Sequence, residues 1–137
     1  GIHEYFGASV EAGIESCLTG TTDVASVMLR PEGFHKLVLL PAARPVARSA
    51  EHLSSDSVRR LTDELNRRYA NRIVVYDLPP LLETADALSF LPCVDAALLV
   101  IREGRTRRDD VVRCLHLMRD TPVVGTILNG TRELGAL

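Results

Sequence analysis

Residues 73–80 read IVVYDLPP: four apolar or aromatic residues lead into an aspartate, a leucine and two prolines. Proline fixes its own φ angle and lacks an amide hydrogen, so Pro79 and Pro80 end the pairing of any strand that precedes them. The run before them is rich in β-branched residues at strand length, and residues 72–77 are predicted to form a buried strand. The pattern therefore predicts a strand that carries Asp77 to its carboxyl end, after which the chain turns away.

Three further stretches share this composition and length. They read KLVLL (36–40), AALLVI (96–101) and VVGTIL (123–128). None of them alternates cleanly between apolar and polar residues, which is typical of parallel strands whose sheet is covered on both faces.

Helical patterns lie between these strands, with apolar residues that recur every three or four positions. The predicted helices cover 9–18, 56–69, 84–91 and 107–119. Thr106 and Asp109 resemble a capping box at the start of the last helix. Alternating helices and strands form right-handed βαβ units. The predicted fold is therefore α/β, with three layers and a mainly parallel sheet, in a single domain over 1–137.

Composition and residue spacing argue against a nucleic-acid partner, a membrane-spanning helix and a zinc site. The chain of 137 residues has a formal net charge of −2. This charge does not indicate the basic surface that is typical of nucleic-acid-binding proteins. No apolar run reaches the ~20 residues that a membrane-spanning helix needs. The three cysteines and four histidines are scattered without the spacing of a zinc site. No G-x-x-x-x-G-K-S/T phosphate loop occurs in the sequence.

Asp77 is the first candidate site residue. In open α/β sheets, ligands bind beyond the carboxyl ends of the strands, and Asp77 is predicted to lie at such an end. Mg²⁺ needs only one or two carboxylates when phosphates and water complete its coordination shell. The same aspartate could instead cap the turn that follows the strand, and the local pattern leaves both interpretations open.

Two further candidates follow the next strands. The run REGRTRRDD (102–110) carries four arginines that could contact phosphates or an acidic partner. A solvated loop, partly neutralised by its own acidic residues, is the favoured interpretation of this run. Asn129 could hydrogen-bond a nucleobase, although Asn-Gly is also a common turn pair and Gly130 follows it.

The stretch RIVVYDLPPLLETADALSFLPCVDAALLVIREGRTRRDD (72–110), followed by TPVVGTILN (121–129), resembles the bacterial tyrosine kinases of exopolysaccharide export. These kinases are P-loop ATPases with a Walker B strand that ends in Asp-x-Pro-Pro. Upstream stretches extend the resemblance over almost the whole chain. They read IHEYFG (2–7), SVEAGIESCLTG (9–20) and KLVLLPAARPVARSAEHLSS (36–55).

The resemblance implies roles for three residues. Asp77 matches the Walker B aspartate, which in the family helps to position Mg²⁺. Asn129 and Pro79 are the candidate nucleotide-binding residues, with Asn129 near the base. The intact parent would bind Mg²⁺ and ATP and transfer the γ-phosphoryl group to tyrosine hydroxyls. It would act in the cytoplasm, at the inner face of the plasma membrane, as a homo-oligomer beside a membrane-anchored polysaccharide co-polymerase that regulates chain length.

The sequence lacks two parts of the family's active site. Neither the phosphate-loop lysine nor the Asp-x-Asp strand is present, and both would lie before Gly1. The chain is therefore expected to be the C-terminal portion of a larger kinase domain, inactive alone and without tight binding of Mg·ATP. The dispersed tyrosines Tyr5, Tyr69 and Tyr76 are expected to be structural. The alternative function is a non-catalytic module that docks on the co-polymerase.

Overall fold

The structure of the chain, a computed structural model, describes residues 2–43 and 56–131. It divides into two units, Gly1–Val74 and Val75–Leu137. Residues 44–55, which include most of the resembling stretch 36–55, lie outside the described part. The expectation of a single domain over 1–137 stays a prediction.

The first unit consists mainly of helices. A 3-10 helix at Ile2–Phe6 precedes α1 (Ile14–Leu18), α2 (Val24–Val27) and α3 (Asp56–Arg68). Helix α1 contacts both α2 and α3. The apolar side chains of α3 that are buried recur three or four residues apart, at Val58, Leu61 and Leu65. This single apolar face confirms the helix predicted over 56–69, with an end one residue earlier.

Two predictions for this unit are wrong. Helix α1 begins at Ile14 and not at residue 9, because the backbone of Gly13 is extended and packs against Pro41. The amide of Ile14 donates to the Pro41 carbonyl at 2.8 Å, and a Cβ at position 13 would collide with that oxygen. The predicted strand 36–40 forms only an isolated antiparallel bridge, in which Leu29 and Leu39 exchange two backbone hydrogen bonds of 2.8 Å.

The second unit contains the sheet. Its elements are α4 (Ala85–Phe90), a 3-10 helix at Leu91–Cys93, β1 (Ala97–Arg102), α5 (Arg108–Leu117) and β2 (Val123–Asn129). Strands β1 and β2 pair in parallel and are connected through α5, which confirms the predicted βαβ unit. The register pairs Ala97 with Val123 and Leu98 with Gly125, so one residue of β2 bulges at the start of the ladder.

Along β1, the side chains on one face of the sheet are partly covered and those on the other face are exposed. Exposure alternates along β1, and Leu98 and Val100 are 55% and 56% exposed. Ile127 pairs with Val100, lies on the same face and is 47% exposed. We call Leu98, Val100 and Ile127 the open sheet face. The described residues of this part of the chain place no second layer over these side chains.

The prediction of a strand over 72–77 is also wrong. Residues 73–80 form neither a helix nor a paired strand, and the only ladder in the described part of the chain joins β1 to β2. Ile73 and Val75 are 93% and 82% exposed, although their composition predicted burial. Strand geometry needs a neighbour for its backbone hydrogen bonds, and the described residues offer none here.

None of the helices in the described residues could cross a bilayer. The longest helix there, α3, has 13 residues, and no helix combines the length and hydrophobicity that a bilayer crossing requires.

Candidate functional site

Asp77 is the central residue of the candidate site. Its side chain is exposed and makes no hydrogen bond or ion pair with any residue that the structure describes. The chain turns just after Pro79 and Pro80, where the amide of Glu83 donates to the Pro80 carbonyl at 3.1 Å. The Asp77 carboxylate takes no part in this turn, so its oxygens are available to a ligand.

Tyr76 anchors the segment that carries Asp77. Its ring packs against Phe90 of α4, with ring centroids 4.8 Å apart at an angle of 57°. Its hydroxyl is enclosed and has no hydrogen-bond partner among the described residues. Burial, with smaller contributions from Cys93 and Asp95, raises the pKa of Tyr76 above its ordinary value. Burial alternates along this segment, with Val74 and Tyr76 partly buried and Val75 and Asp77 exposed, so Asp77 faces solvent.

Arg102 and Asn129 meet at the carboxyl ends of β1 and β2. The register pairs them directly, so both side chains project from the same face of the sheet, and both residues are exposed. The amide of Glu103 donates to the carbonyl of Asn129 at 2.9 Å and extends the pairing by one bond. Asn129 therefore ends a strand, as predicted, and its side chain remains accessible at the edge where ligands of α/β sheets bind.

A tight turn follows β1. Gly104 has a φ angle of 68°, a left-handed conformation that suits glycine. The amide of Arg102 donates to the Thr106 hydroxyl at 2.9 Å, and the amide of Thr106 donates back to the Arg102 carbonyl at 2.9 Å. Thr106 thus closes the turn and does not cap the helix. The cap lies one residue later than predicted, where the Arg107 amide donates to Asp110 at 3.3 Å.

The arginines of this turn are exposed and unpaired. Within the described residues, no ion pair involves Arg102, Arg105, Arg107 or Arg108. The nearest acidic residue with a defined contact, Asp110, accepts from the helix backbone instead. The loop is therefore exposed, as favoured from the sequence, and none of its four arginines forms an ion pair with a described carboxylate.

The donor set fits Mg²⁺ only together with a phosphate ligand. Among the described residues, no cluster of three or more His, Cys, Asp or Glu side chains could hold a metal ion. A single free carboxylate is sufficient for Mg²⁺ when nucleotide phosphates and water supply the remaining ligands. Asp77 could provide that carboxylate, whereas Asn129 and Pro79 could contact a nucleotide. No hydrogen bond within the described residues joins Asp77 to Asn129.

Comparisons with known proteins place the chain among kinases. No family model matches the sequence. The tyrosine-protein kinase YwqD of Bacillus subtilis (strain 168) is 26% identical over 133 residues, which cover 96% of this chain and 55% of YwqD. The crystal structure of the VpsO kinase domain is 30% identical with a TM-score of 0.84, and the match covers 96% of this chain and 64% of that domain.

These relatives support the bacterial tyrosine kinase family as the family of this chain. Its fold is the P-loop NTPase fold of these kinase domains, as the resemblance implied. The succinoglycan biosynthesis transport protein ExoP of Rhizobium meliloti (strain 1021) is 37% identical over 107 residues, which cover 73% of this chain and 13% of ExoP. The chain thus spans about half the length of the kinase YwqD and a small part of ExoP.

Sequence reasoning identified the ends of β1 and β2 but missed their register. The pairing of Arg102 with Asn129 depends on the bulge at the start of the ladder, for which the sequence offers only Gly125 as a signal. It also missed that Tyr5 is 91% exposed.

Proposed function

We propose that this chain is part of an ATP-dependent protein-tyrosine autokinase that regulates the synthesis and export of an exopolysaccharide or capsule. The observation that carries the proposal is the exposed Asp77 carboxylate, which has no partner among the described residues. The names of two relatives support the reaction and its setting, since YwqD is a tyrosine-protein kinase and ExoP acts in succinoglycan biosynthesis transport.

The chain's own residues would contribute binding and orientation. Asp77 would hold Mg²⁺ through water, and the ion supplies charge neutralisation for the phosphates of ATP when it is bound. Pro79 lacks an amide hydrogen and turns the chain away, which leaves space beyond the carboxylate. Asn129 carries both a donor and an acceptor and would contact the base. The phosphate cradle itself would come from another part of the kinase, because no phosphate loop occurs in these residues.

The cellular setting is part of the same proposal. The kinase would work in the cytoplasm at the inner face of the plasma membrane, beside a membrane-anchored polysaccharide co-polymerase. ExoP, a transport protein of polysaccharide synthesis, contains a stretch similar to 73% of this chain, which supports the link to such a partner. Homo-oligomerisation would let one subunit present tyrosines to the next.

A non-catalytic docking module is the second candidate function. The open sheet face favours it, because Leu98, Val100 and Ile127 expose apolar surface that a partner protein could cover. In this case Asp77 would have no catalytic role.

A chimeric kinase domain separates the two proposals. This chain would replace the matching part of the VpsO kinase domain, and autophosphorylation with Mg·ATP would be measured for the chimera and for its Asp77→Asn variant. We expect the chimera to label its own tyrosines and the variant to lose on the order of 10²-fold in rate, as when one group that stabilises transition-state charge is removed.

Asp120→Asn is the matched control. The Asp120 side chain is 88% exposed and pairs only with the exposed Arg119, so its replacement should leave the rate unchanged. If the folded chimera carried no phosphotyrosine, the kinase proposal would fail. If Asp77→Asn behaved like Asp120→Asn, the metal-holding role of Asp77 would be rejected.

A further inference from the structure

Tyr5 is the most exposed of the six aromatic residues in the sequence, all of which the structure describes. It lies in the 3-10 helix Ile2–Phe6, none of whose residues is buried, and its side chain is 91% exposed. No hydrogen bond joins its hydroxyl to any described residue. The expectation that Tyr5 is structural is therefore wrong.

The 3-10 helix is held in place without Tyr5. The ring of Phe6 packs edge-on against Phe34, with centroids 5.5 Å apart and an interplanar angle of 89°. Backbone bonds close the following turn, from the amide of Gly7 to Glu4 at 3.0 Å and from the amide of Ala8 to His3 at 3.1 Å. Neither packing nor hydrogen bonding in the described structure thus requires an aromatic residue at position 5.

The other two tyrosines are less accessible. Tyr76 packs on Phe90 and its hydroxyl is enclosed. Tyr69 is partly buried, and its amide continues the hydrogen-bonding of α3 by donating to Leu65 at 2.9 Å. A phenol oxygen must come within reacting distance of the transferred phosphorus, about 3–3.5 Å, before transfer can occur. Of the three, Tyr5 has the most exposed side chain, and its hydroxyl reaches solvent without any rearrangement of the packing around it.

We propose that Tyr5 is a phosphoryl acceptor for the tyrosine kinases of this family. The Tyr5 oxygen attacks the γ-phosphorus of ATP, the new O–P bond forms, and the bond from the γ-phosphorus to the β-bridging oxygen breaks. ADP leaves with the electron pair of that bond, and the phenolic proton passes to a base of the kinase. The proposal rests on the proposed function, since it names one tyrosine that such a kinase modifies.

The test uses an independent kinase, so that it does not depend on the activity of the parent of this chain. The chain would be incubated with the VpsO kinase domain and Mg·ATP, and phosphorylated peptides would be assigned by mass spectrometry. We expect phosphate on Tyr5, loss of that phosphate in Tyr5→Phe, and unchanged incorporation in the matched variant Tyr69→Phe. Because the Tyr5 hydroxyl makes no contact, Tyr5→Phe should unfold at the same urea concentration as the original chain.

Two results would overturn the proposal. One is phosphate on Tyr69 or Tyr76 with none on Tyr5, and the other is no incorporation into the chain while the VpsO domain labels its own tyrosines in the same tube. An inactive chimera with Tyr5 still phosphorylated by the VpsO domain would reject the proposed function and leave the acceptor role of Tyr5 standing.

Discussion

Two leucines of the second unit allow a direct test of the open sheet face. Leu91 is 8% exposed and Leu98 is 55% exposed, so the same Leu→Ala change removes a covered side chain in one case and a largely solvated one in the other. A buried Leu→Ala change costs about 2–5 kcal/mol, through lost burial and the cavity that remains. Complete burial of a leucine is worth roughly 1.5–3 kcal/mol, and less than half of Leu98 is covered, so Leu98→Ala should cost about 1 kcal/mol.

The free energy of unfolding of both variants would be measured by urea denaturation, followed by far-UV circular dichroism. Both positions lie in the unit Val75–Leu137, so the same part of the protein reports both changes. The slope of unfolding free energy against urea must stay equal among the proteins for the comparison to hold. Costs for Leu91→Ala and Leu98→Ala that agree within about 0.5 kcal/mol would refute the assignment of an uncovered face. A difference that small is within the range of ordinary exposed substitutions, so the two leucines would not differ in how far they are covered.

Two further substitutions test local features. Asp23 accepts from the Ala25 amide at 2.8 Å and pairs with Arg68 at 3.2 Å, and these contacts lower the pKa of Asp23 below its ordinary value of 3.8. Asp23→Ala should therefore destabilise the chain more than Asp23→Asn, which keeps the cap acceptor. The part of this loss due to the ionised carboxylate should be complete above pH 3.8 and fade as the pH falls through the lowered pKa. Urea denaturation across pH checks both points, and equal losses in the two variants would contradict the capping role. Gly104→Ala should cost about 1–2 kcal/mol, because left-handed backbone is unfavourable for alanine. Since nothing lies within 4 Å of a Cβ there, Gly104→Asn, which tolerates this conformation, should cost less in the same assay.

The helix with a local apolar pattern was predicted correctly, whereas the pairing of the segment 72–77 with a neighbouring strand was not. The stripe at Val58, Leu61 and Leu65 defines helix α3 because each turn of a helix repeats the contact of the last. The prediction of a strand over 72–77 was wrong. An apolar composition shows that a segment suits a sheet, but it does not show which neighbouring strand the segment pairs with. Val75 is a residue type that suits a buried strand, and its side chain is nevertheless 82% exposed.

The same reasoning explains what was predictable in the candidate site. Asn129 was correctly placed at the end of a strand, since the apolar run and the following Asn-Gly pair are both local signals. For Asp77 the sequence analysis left a cap and a ligand both open, although Pro79 and Pro80, two and three residues on, have no amide hydrogen to donate to a capping carboxylate. In the structure no described residue donates to Asp77, and the following turn is closed by backbone atoms alone, from the Glu83 amide to the Pro80 carbonyl.

The described residues of the second unit leave two features without a partner: the apolar surface of the open sheet face and the carboxylate of Asp77. The two candidate functions differ in how many of these features they explain. A sheet of two strands is marginal by itself, and the open sheet face exposes apolar surface that gains free energy when it is covered. A docking module would account for that surface, since a partner could cover it. It would not account for Asp77, because an unpaired carboxylate contributes nothing to an apolar contact. In a kinase domain, a further layer would cover the open sheet face, and Mg²⁺ with ATP would engage Asp77. The kinase proposal therefore explains both features of the molecule, and the docking proposal explains one.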